Sequence, residues 1–300
     1  MRIFVTGATG FVGLAVAQEL IGAGHQVLGL ARSEEGAKSL AAIGAQAHRG
    51  DLEDLQSLRN GAAMTDGVIH CAFNHDFSNF AAHCEQDRRV IDVLGSTLSS
   101  SGRPLIVTSG IGAPAPGRAA TEEDPPMPTT TSYPRASELT ALLVSERGVR
   151  TAVVRLPQVH DPVKQGFVSL LIEVAREKGV SAYIGDGSNR WSAAHRLDVA
   201  RLYRLVLEKT AAHQSAAVER YHAVGEEGVS AKEIAEAIGR GLKVPAVSIE
   251  PEQARQHFGF LGGFAGLDMP ASSALTQERL GWHPTGPGLL ADLQAMRFDA

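Results

Sequence analysis

Tyr133 and Arg135 stand two residues apart in the stretch TSYPRASE (131–138). A tyrosine hydroxyl can give or take a proton, and its free pKa of about 10 makes it a donor at neutral pH. An arginine is a permanent cation that favours the phenolate if it reaches the ring oxygen. Helical geometry opposes that contact, because residues two apart do not share a helix face, although a helix start is less regular. A second constellation lies at the N-terminus. In TGATGFVG (6–13) the glycines Gly7, Gly10 and Gly13 separate an apolar run from a helical pattern. Gly7 permits a tight turn, Gly10 a close approach of backbone to a pyrophosphate, and Gly13 close packing of helix on strand. The helix start then offers free N–H groups and a positive dipole end to the anion. Gly7, Thr9, Gly10, Phe11 and Val12 are thus candidates to cradle a dinucleotide.

The next apolar run ends LGLARSEE (28–35). A carboxylate about twenty residues beyond the glycines would hold a ribose hydroxyl. Arg32 and Ser33 stand there instead, and a guanidinium pairs with a 2′-phosphate where a carboxylate repels it. NADPH is therefore expected in preference to NADH. Ser33 also suits the N-cap of the following helix, with Glu34 and Glu35 in its first turn.

Positioning these groups takes an alternation of short apolar runs and helical patterns. Strands are expected at 2–5, 26–31, 45–48, 67–72, 104–108 and 150–155, and helices at about 34–43, 53–61, 82–101 and 135–147. Such alternation predicts an α/β fold, a doubly wound parallel sheet covered on both faces. Residues 1–157 form the expected dinucleotide-binding domain. Residues 158–300, with helices near 165–178, 197–209 and 230–240, read as a smaller mixed substrate lobe interleaved with it. The segment 110–131, GIGAPAPGRAATEEDPPMPTTT, is too rich in Pro and Gly for regular structure. A long loop directly before Tyr133 suits a lid. The chain of 300 residues has a formal net charge of -5 and no basic tract, which argues against a nucleic-acid partner. Cys71 and Cys84 lack metal-ligand spacing, so no metal is expected and both read as reduced thiols of a cytoplasmic protein. No apolar run has the length of a membrane span.

Together these segments resemble the extended short-chain dehydrogenase/reductase superfamily, in its epimerase/dehydratase-like form. TGATGFVG is similar to its glycine signature. GDLED (50–54) is similar to the segment in which Asp51 and Leu52 would contact adenine. HCAF (70–73) is similar to the loop placing Cys71, Ala72 and Phe73 beside the cofactor ribose. VRLPQVHDP (154–162) is similar to the segment whose residues, here Pro157 onward, line the nicotinamide. GDGSNRWSAAHRLDVARLY (185–203) and ALTQERLGWHP (274–284) are similar to elements of the substrate lobe. The resemblance implies hydride transfer between a nicotinamide and a carbonyl or alcohol, and the family often forms dimers. It puts the proton-transferring tyrosine on Tyr133. The lysine expected four residues later falls on Ser137, and the usual catalytic hydroxyl falls on Gly110, just after Thr108 and Ser109. Ser109, Arg135 and His160 are the further catalytic candidates, and Thr108 joins the cofactor set. His195 reads as structural. The function implied is NAD(P)H-dependent reduction of a small carbonyl compound, because reduction needs the neutral phenol and oxidation the scarce phenolate. A non-catalytic dinucleotide sensor and a sugar-nucleotide epimerase or dehydratase remain open.

Overall fold

The computed structural model describes residues 1–112, 117–131, 133–212 and 218–298; residues 113–116 of the expected lid and Ser132 lie outside it. In chain order the elements are β1 (Arg2–Thr6), α1 (Phe11–Gly22), β2 (Gln26–Ala31), α2 (Glu34–Ala42), β3 (Gln46–Arg49), α3 (Leu55–Ala63), β4 (Gly67–His70), α4 (Phe80–Leu98), β5 (Pro104–Gly110), α5 (Ser137–Glu146), β6 (Arg150–Leu156) and β7 (Gln158–His160). They continue with α6 (Phe167–Lys178), β8 (Ser181–Ile184), β9 (Arg190–His195), α7 (Arg196–Ala212), β10 (Glu219–His222), β11 (Glu226–Ser230), α8 (Ala231–Leu242) and β12 (Ala246–Ile249). Four short helices follow: α9 (Ala254–Phe258), α10 (Gly262–Ala265), α11 (Ala274–Leu280) and α12 (Leu289–Ala295).

Seven parallel strands form the large sheet in the order β10-β6-β5-β4-β1-β2-β3. Both faces are dry. In β1, Ile3 and Val5 point into one core with Leu20 of α1 and Tyr203 and Val206 of α7. Phe4 points the other way, into a core with Leu58 of α3, Ile91 and Leu94 of α4 and Val144 of α5. Strands buried on both faces need continuous apolar sequence, and each fully buried Leu or Ile contributes about 1.5–3 kcal/mol. Sequence after residue 158 also builds this unit, since α7 packs on α1 and β10 pairs with β6. The remaining strands form two small sheets, β11-β9-β7 and β12-β8, around a separate core that includes Trp191, Ile234 and Leu289.

Most expected boundaries shift by a residue or two, and three of the shifts bear on the site. The strand expected to reach 72 ends at His70, because Cys71 to Phe73 turn away over the glycine loop. The helix expected to run to 101 ends at Leu98, where Ser100 and Gly102 take positive φ. The helix expected from 135 starts at Ser137, leaving Tyr133 and Arg135 in non-helical chain ahead of it. No helix among the described residues is long and apolar enough to cross a membrane.

Candidate active site

The strand order reverses between β1 and β4, and in open parallel sheets ligands bind outside the carboxyl ends of strands at such a point. The glycine turn sits there. Gly7 has φ +68°, and a Cβ on it would lie 2.8 Å from the Ala72 nitrogen. A Cβ on Gly13 would lie 2.1 Å from the Gly7 carbonyl oxygen. Packing thus requires both glycines. Gly10 differs: a Cβ there meets only the Gly7 oxygen, at 3.1 Å, and otherwise points into open space. No side chain caps the start of α1, and its first turn holds no acid. An open cradle lined by uncapped backbone N–H groups fits a dinucleotide pyrophosphate. Two cations of the later chain face the same helix start, with Lys164 Nζ 5.9 Å and Arg196 Cζ 5.0 Å from the Phe11 ring centroid.

Around this cradle the other expected contacts fall as follows. Thr9 is exposed, and Phe11 and Val12 are half-buried at the helix start. Arg32 is exposed at the end of β2, with no ion pair among the described residues. Ser33 caps α2, accepting from the Gly36 N–H at 3.1 Å. Asp51 is exposed, and its carboxylate accepts from the Glu53 and Asp54 N–H groups at 2.7 and 3.0 Å, which fixes its orientation. Leu52 packs against the core beneath α4. Cys71 and Ala72 lie against Gly7. Burial pushes the Cys71 thiol up to about 12, so it is a neutral thiol. Pro157 marks the place where the chain leaves the large sheet for the small one.

A cavity of about 210 Å³ opens beside the ends of β5 and β6. Ser109, Tyr133 and Arg135 all line it, together with Glu138 and Arg155. Adjacent strand residues face opposite sides. Thr108 therefore turns inward, where its hydroxyl donates to the His70 carbonyl at 2.6 Å and meets the Tyr203 hydroxyl at 2.6 Å. Its one proton is spent on His70, so Tyr203 is the donor of the second bond. Ser109 is left as the strand's hydroxyl in the cavity. Tyr133 and Arg135 reach the same cavity because both precede the helix. Pro134 disfavours helical backbone at Tyr133, and in extended chain residues two apart share a side. Burial pushes the Tyr133 phenol above its usual range, and the Arg135 cation pulls the other way without cancelling it. Residues 117–131 cover the cavity. This cover is anchored to the later chain at Ala120, which pairs with Pro270 and Ser272 at 2.8 Å each.

Arg135 is held by a chain of buried polar groups that sequence reading missed. Its Nε donates to Ser137 Oγ at 2.9 Å, and Ser137 donates to Asp87 Oδ2 at 2.5 Å. The other oxygen of Asp87 meets His70 Nε2 at 3.0 Å, and His70 Nδ1 meets Thr6 Oγ1 at 2.7 Å. A carboxylate only accepts, which places a proton on His70 Nε2. Burial alone would raise the Asp87 carboxyl, but His70, Arg135 and Ser137 together hold it below the usual range. A readable signal existed: Asp87 interrupts the buried stripe Cys84, Ile91, Leu94 and Leu98 of α4. Nearby, Arg155 forms a buried two-point pair with Glu138 at 2.9 and 2.7 Å and donates to the Asp124 carbonyl at 2.8 Å, tying the cover to the strand below.

The structure does not bring His160 to this cavity. Its ring is fully buried, Nδ1 is 2.7 Å from Asp292 Oδ2, and its face meets His195 at 5.9 Å. Burial holds it below the ordinary histidine range, with Asp292 opposing. No cluster among the described residues has the makings of a metal site.

The family model described as the NAD dependent epimerase/dehydratase family matches residues 3–219. The chain belongs to this family. An uncharacterized protein of Schizosaccharomyces pombe is 48% identical over 299 residues, covering 98% of each chain. An uncharacterized protein of Saccharomyces cerevisiae is 44% identical over 298 residues, again covering 98% of each. A 2-alkyl-3-oxoalkanoate reductase of Stenotrophomonas maltophilia is 28% identical, over 82% of this chain and 77% of its own. Among solved structures, the UDP-glucose 4-epimerase of Thermotoga maritima with UDP-glucose superposes with a TM-score of 0.76 at 20% identity, covering 99% of this chain and 97% of its own. This epimerase/dehydratase-family member thus has the Rossmann-like architecture of its relatives. Its departures from the expected pattern lie at Ser137, which is 1% exposed against Asp87, and at Gly110, which carries no hydroxyl.

Proposed function

We propose that this protein is an NADPH-dependent reductase of a small carbonyl compound. One observation carries the reading: a phenol that burial keeps in its protonated form, a serine hydroxyl and a guanidinium line one cavity at the ends of β5 and β6, in the same parallel sheet whose β1 ends in the glycine turn. When bound, the nicotinamide supplies the hydride that adds to the carbonyl carbon. Tyr133 gives its proton to the carbonyl oxygen as the C–O double bond becomes an alcohol, and solvent returns a proton to the phenolate. Ser109 donates a hydrogen bond to the same oxygen. Arg135 supplies the cation that stabilises the transient phenolate, the part implied for the lysine absent at Ser137.

The raised phenol pKa favours this direction. Epimerisation begins by oxidising an alcohol, which needs a phenolate base, and burial makes that base scarcer than in free tyrosine. The relative from Stenotrophomonas maltophilia, a reductase by name, agrees with the reductive direction.

Arg32, exposed and without an ion pair among the described residues, supports NADPH over NADH. The test is NADPH oxidation by the purified protein, followed at 340 nm as carbonyl compounds are added. In parallel, calorimetry on Arg32→Ala should show the NADPH-over-NADH preference shrinking by about 1–3 kcal/mol. Equal affinities of the parent protein for the two nucleotides would refute the cofactor choice. Tight NADPH binding with no carbonyl turned over would favour the sensor reading.

A further inference from the structure

We propose that Lys164 is a cofactor-binding residue, whose ammonium pairs with the diphosphate of the bound dinucleotide from the side opposite the glycine turn. The inference rests on the cofactor half of the reading above and is independent of the reductive chemistry. Lys164 lies between β7 and α6, so the proposal has the smaller lobe reach across to the cofactor of the larger sheet.

Position is the first support. Lys164 Nζ is 5.9 Å from the ring centroid of Phe11, the first residue of α1. The same ammonium also acts on His75, in the chain that leaves β4. There burial, the Arg135 cation and Lys164 together hold the imidazole below the ordinary histidine range. β1 and β4 are the neighbours between which the strand order reverses, so Lys164 faces both walls of the crevice that a dinucleotide crosses. The gap is open. Thr9, Gly10 and Lys164 are all exposed, and a Cβ on Gly10 would enter free space beyond the Gly7 oxygen. Arg32 stands one strand further on, at the end of β2, so the 2′-phosphate expected there is a different contact.

Charge is the second support. Lys164 has no carboxylate partner among the described residues. An aromatic ring orients a cation without neutralising it, so the ammonium stays available to an anion. The facing wall offers the uncapped backbone N–H groups and positive dipole end of α1, with no acid in the first turn. Like signs across a gap repel unless an anion lies between them. The mount is the third support. Lys164 belongs to a closed turn, residues 161–165. The Asp161 carboxylate accepts from the Val163 and Lys164 N–H groups at 2.8 and 2.7 Å, and the Asp161 N–H donates to the Lys164 carbonyl at 2.9 Å. The fully buried Gln165 side chain donates to the Asp161 carbonyl. Asp161 also pairs at 3.0 Å with Arg196, whose guanidinium lies 5.0 Å from the same Phe11 ring. The one carboxylate of the turn is thus spent on the turn and on Arg196, which leaves Lys164 to an anion from outside the protein.

The experiment measures, by calorimetry, the dissociation constants of NADPH, NADH, ADP-ribose and 2′-AMP for the parent protein, Lys164→Gln, Lys164→Arg and Arg32→Ala. ADP-ribose keeps the diphosphate and lacks the nicotinamide. 2′-AMP keeps the 2′-phosphate and lacks the diphosphate. Lys164→Gln should weaken NADPH, NADH and ADP-ribose alike, by about fivefold to twentyfold, and leave 2′-AMP unchanged. Lys164→Arg should retain most of the affinity. Arg32→Ala should give the opposite pattern, weakening NADPH and 2′-AMP while sparing NADH and ADP-ribose. Lys164 is exposed, so its variants should melt as the parent does. A phosphate-bearing substrate is the other source of such an anion, and UDP titrated onto the protein–NADPH complex reads it. Unchanged ADP-ribose affinity in Lys164→Gln, a loss confined to UDP, or a loss shared by 2′-AMP would overturn the inference and leave NADPH binding standing. A parent protein that binds neither dinucleotide would overturn the inference and the cofactor reading together.

Discussion

Two buried aspartates each grip a histidine, one in either lobe. Asp87 meets His70 at 3.0 Å and Asp292 meets His160 at 2.7 Å, and all four side chains are almost wholly out of solvent. Taken as pairs they look alike. They differ in where the next bond goes. The second oxygen of Asp87 takes the Ser137 hydroxyl, and that serine takes Arg135, whose guanidinium lines the cavity. Among the described residues the Asp292 carboxylate has only His195 beyond His160, at 3.9 Å, so its contacts link β7, β9 and α12 inside the smaller lobe. A buried histidine–carboxylate pair is therefore no sign of chemistry by itself. What matters is whether its chain of bonds ends at open space or at more protein.

The sharpest test of that contrast is at the cavity end. Tyr133→Phe removes the proposed proton donor and should lower reductase turnover by about 10²–10⁴-fold with little change in melting temperature. Unchanged turnover would take Tyr133 out of the chemistry.

A smaller effect separates the two aspartates. Asp87→Asn and Asp292→Asn each disturb a buried charged hydrogen bond and should each cost about 1–3 kcal/mol of stability, read from denaturant midpoints. Only Asp87→Asn should also lower kcat, by about tenfold, because Arg135 loses its tether through Ser137. Equal kcat losses in the two variants, measured where both are fully folded, would erase the distinction. Ser137→Lys belongs to the same series. The new side chain would enter a site 1% exposed and face Asp87, displacing Arg135, so reduction should fall.

The smallest expected effect is an absence. The Tyr133 phenol is raised, so it stays protonated until the pH exceeds about 10, and arginine does not titrate below that. His160 is held below its ordinary value of about 6.5. Were His160 the acid, reduction would decline as pH rose through that depressed value. With Tyr133 as donor, the kcat profile should be flat from about pH 6 to 9. His160→Gln should leave turnover unchanged while lowering stability. An acid-side inflection that disappears in His160→Gln would reassign the proton donor.

The glycine turn could be read from the chain because it is local. Three glycines within seven residues, between an apolar run and a helical pattern, set turn, cradle and helix packing through backbone geometry alone, and Gly7, Gly10 and Gly13 take up those places. The α/β class and the parallel sheet were legible for a similar reason, since strands covered on both faces leave continuous apolar runs. The candidate cavity was legible only in part. Tyr133 stood out by residue type, and Ser109 through the family resemblance. Arg135 looked misplaced two residues from Tyr133, an objection that holds inside a helix and lapses once the helix starts at Ser137. That start depends on Pro134 and on the capture of Ser137 by Asp87, a partner fifty residues away. His160 drew notice from its place in the chain, yet β7 turns its ring into the smaller lobe and onto Asp292, 132 residues on. Sequence by itself determined the elements, the glycine turn and the chemical types present, because these follow from short-range sterics and from which side chains leave water. Tertiary structure decided which of those groups share a cavity, because a side chain's neighbours are set by packing and hydrogen bonds between segments far apart in the chain.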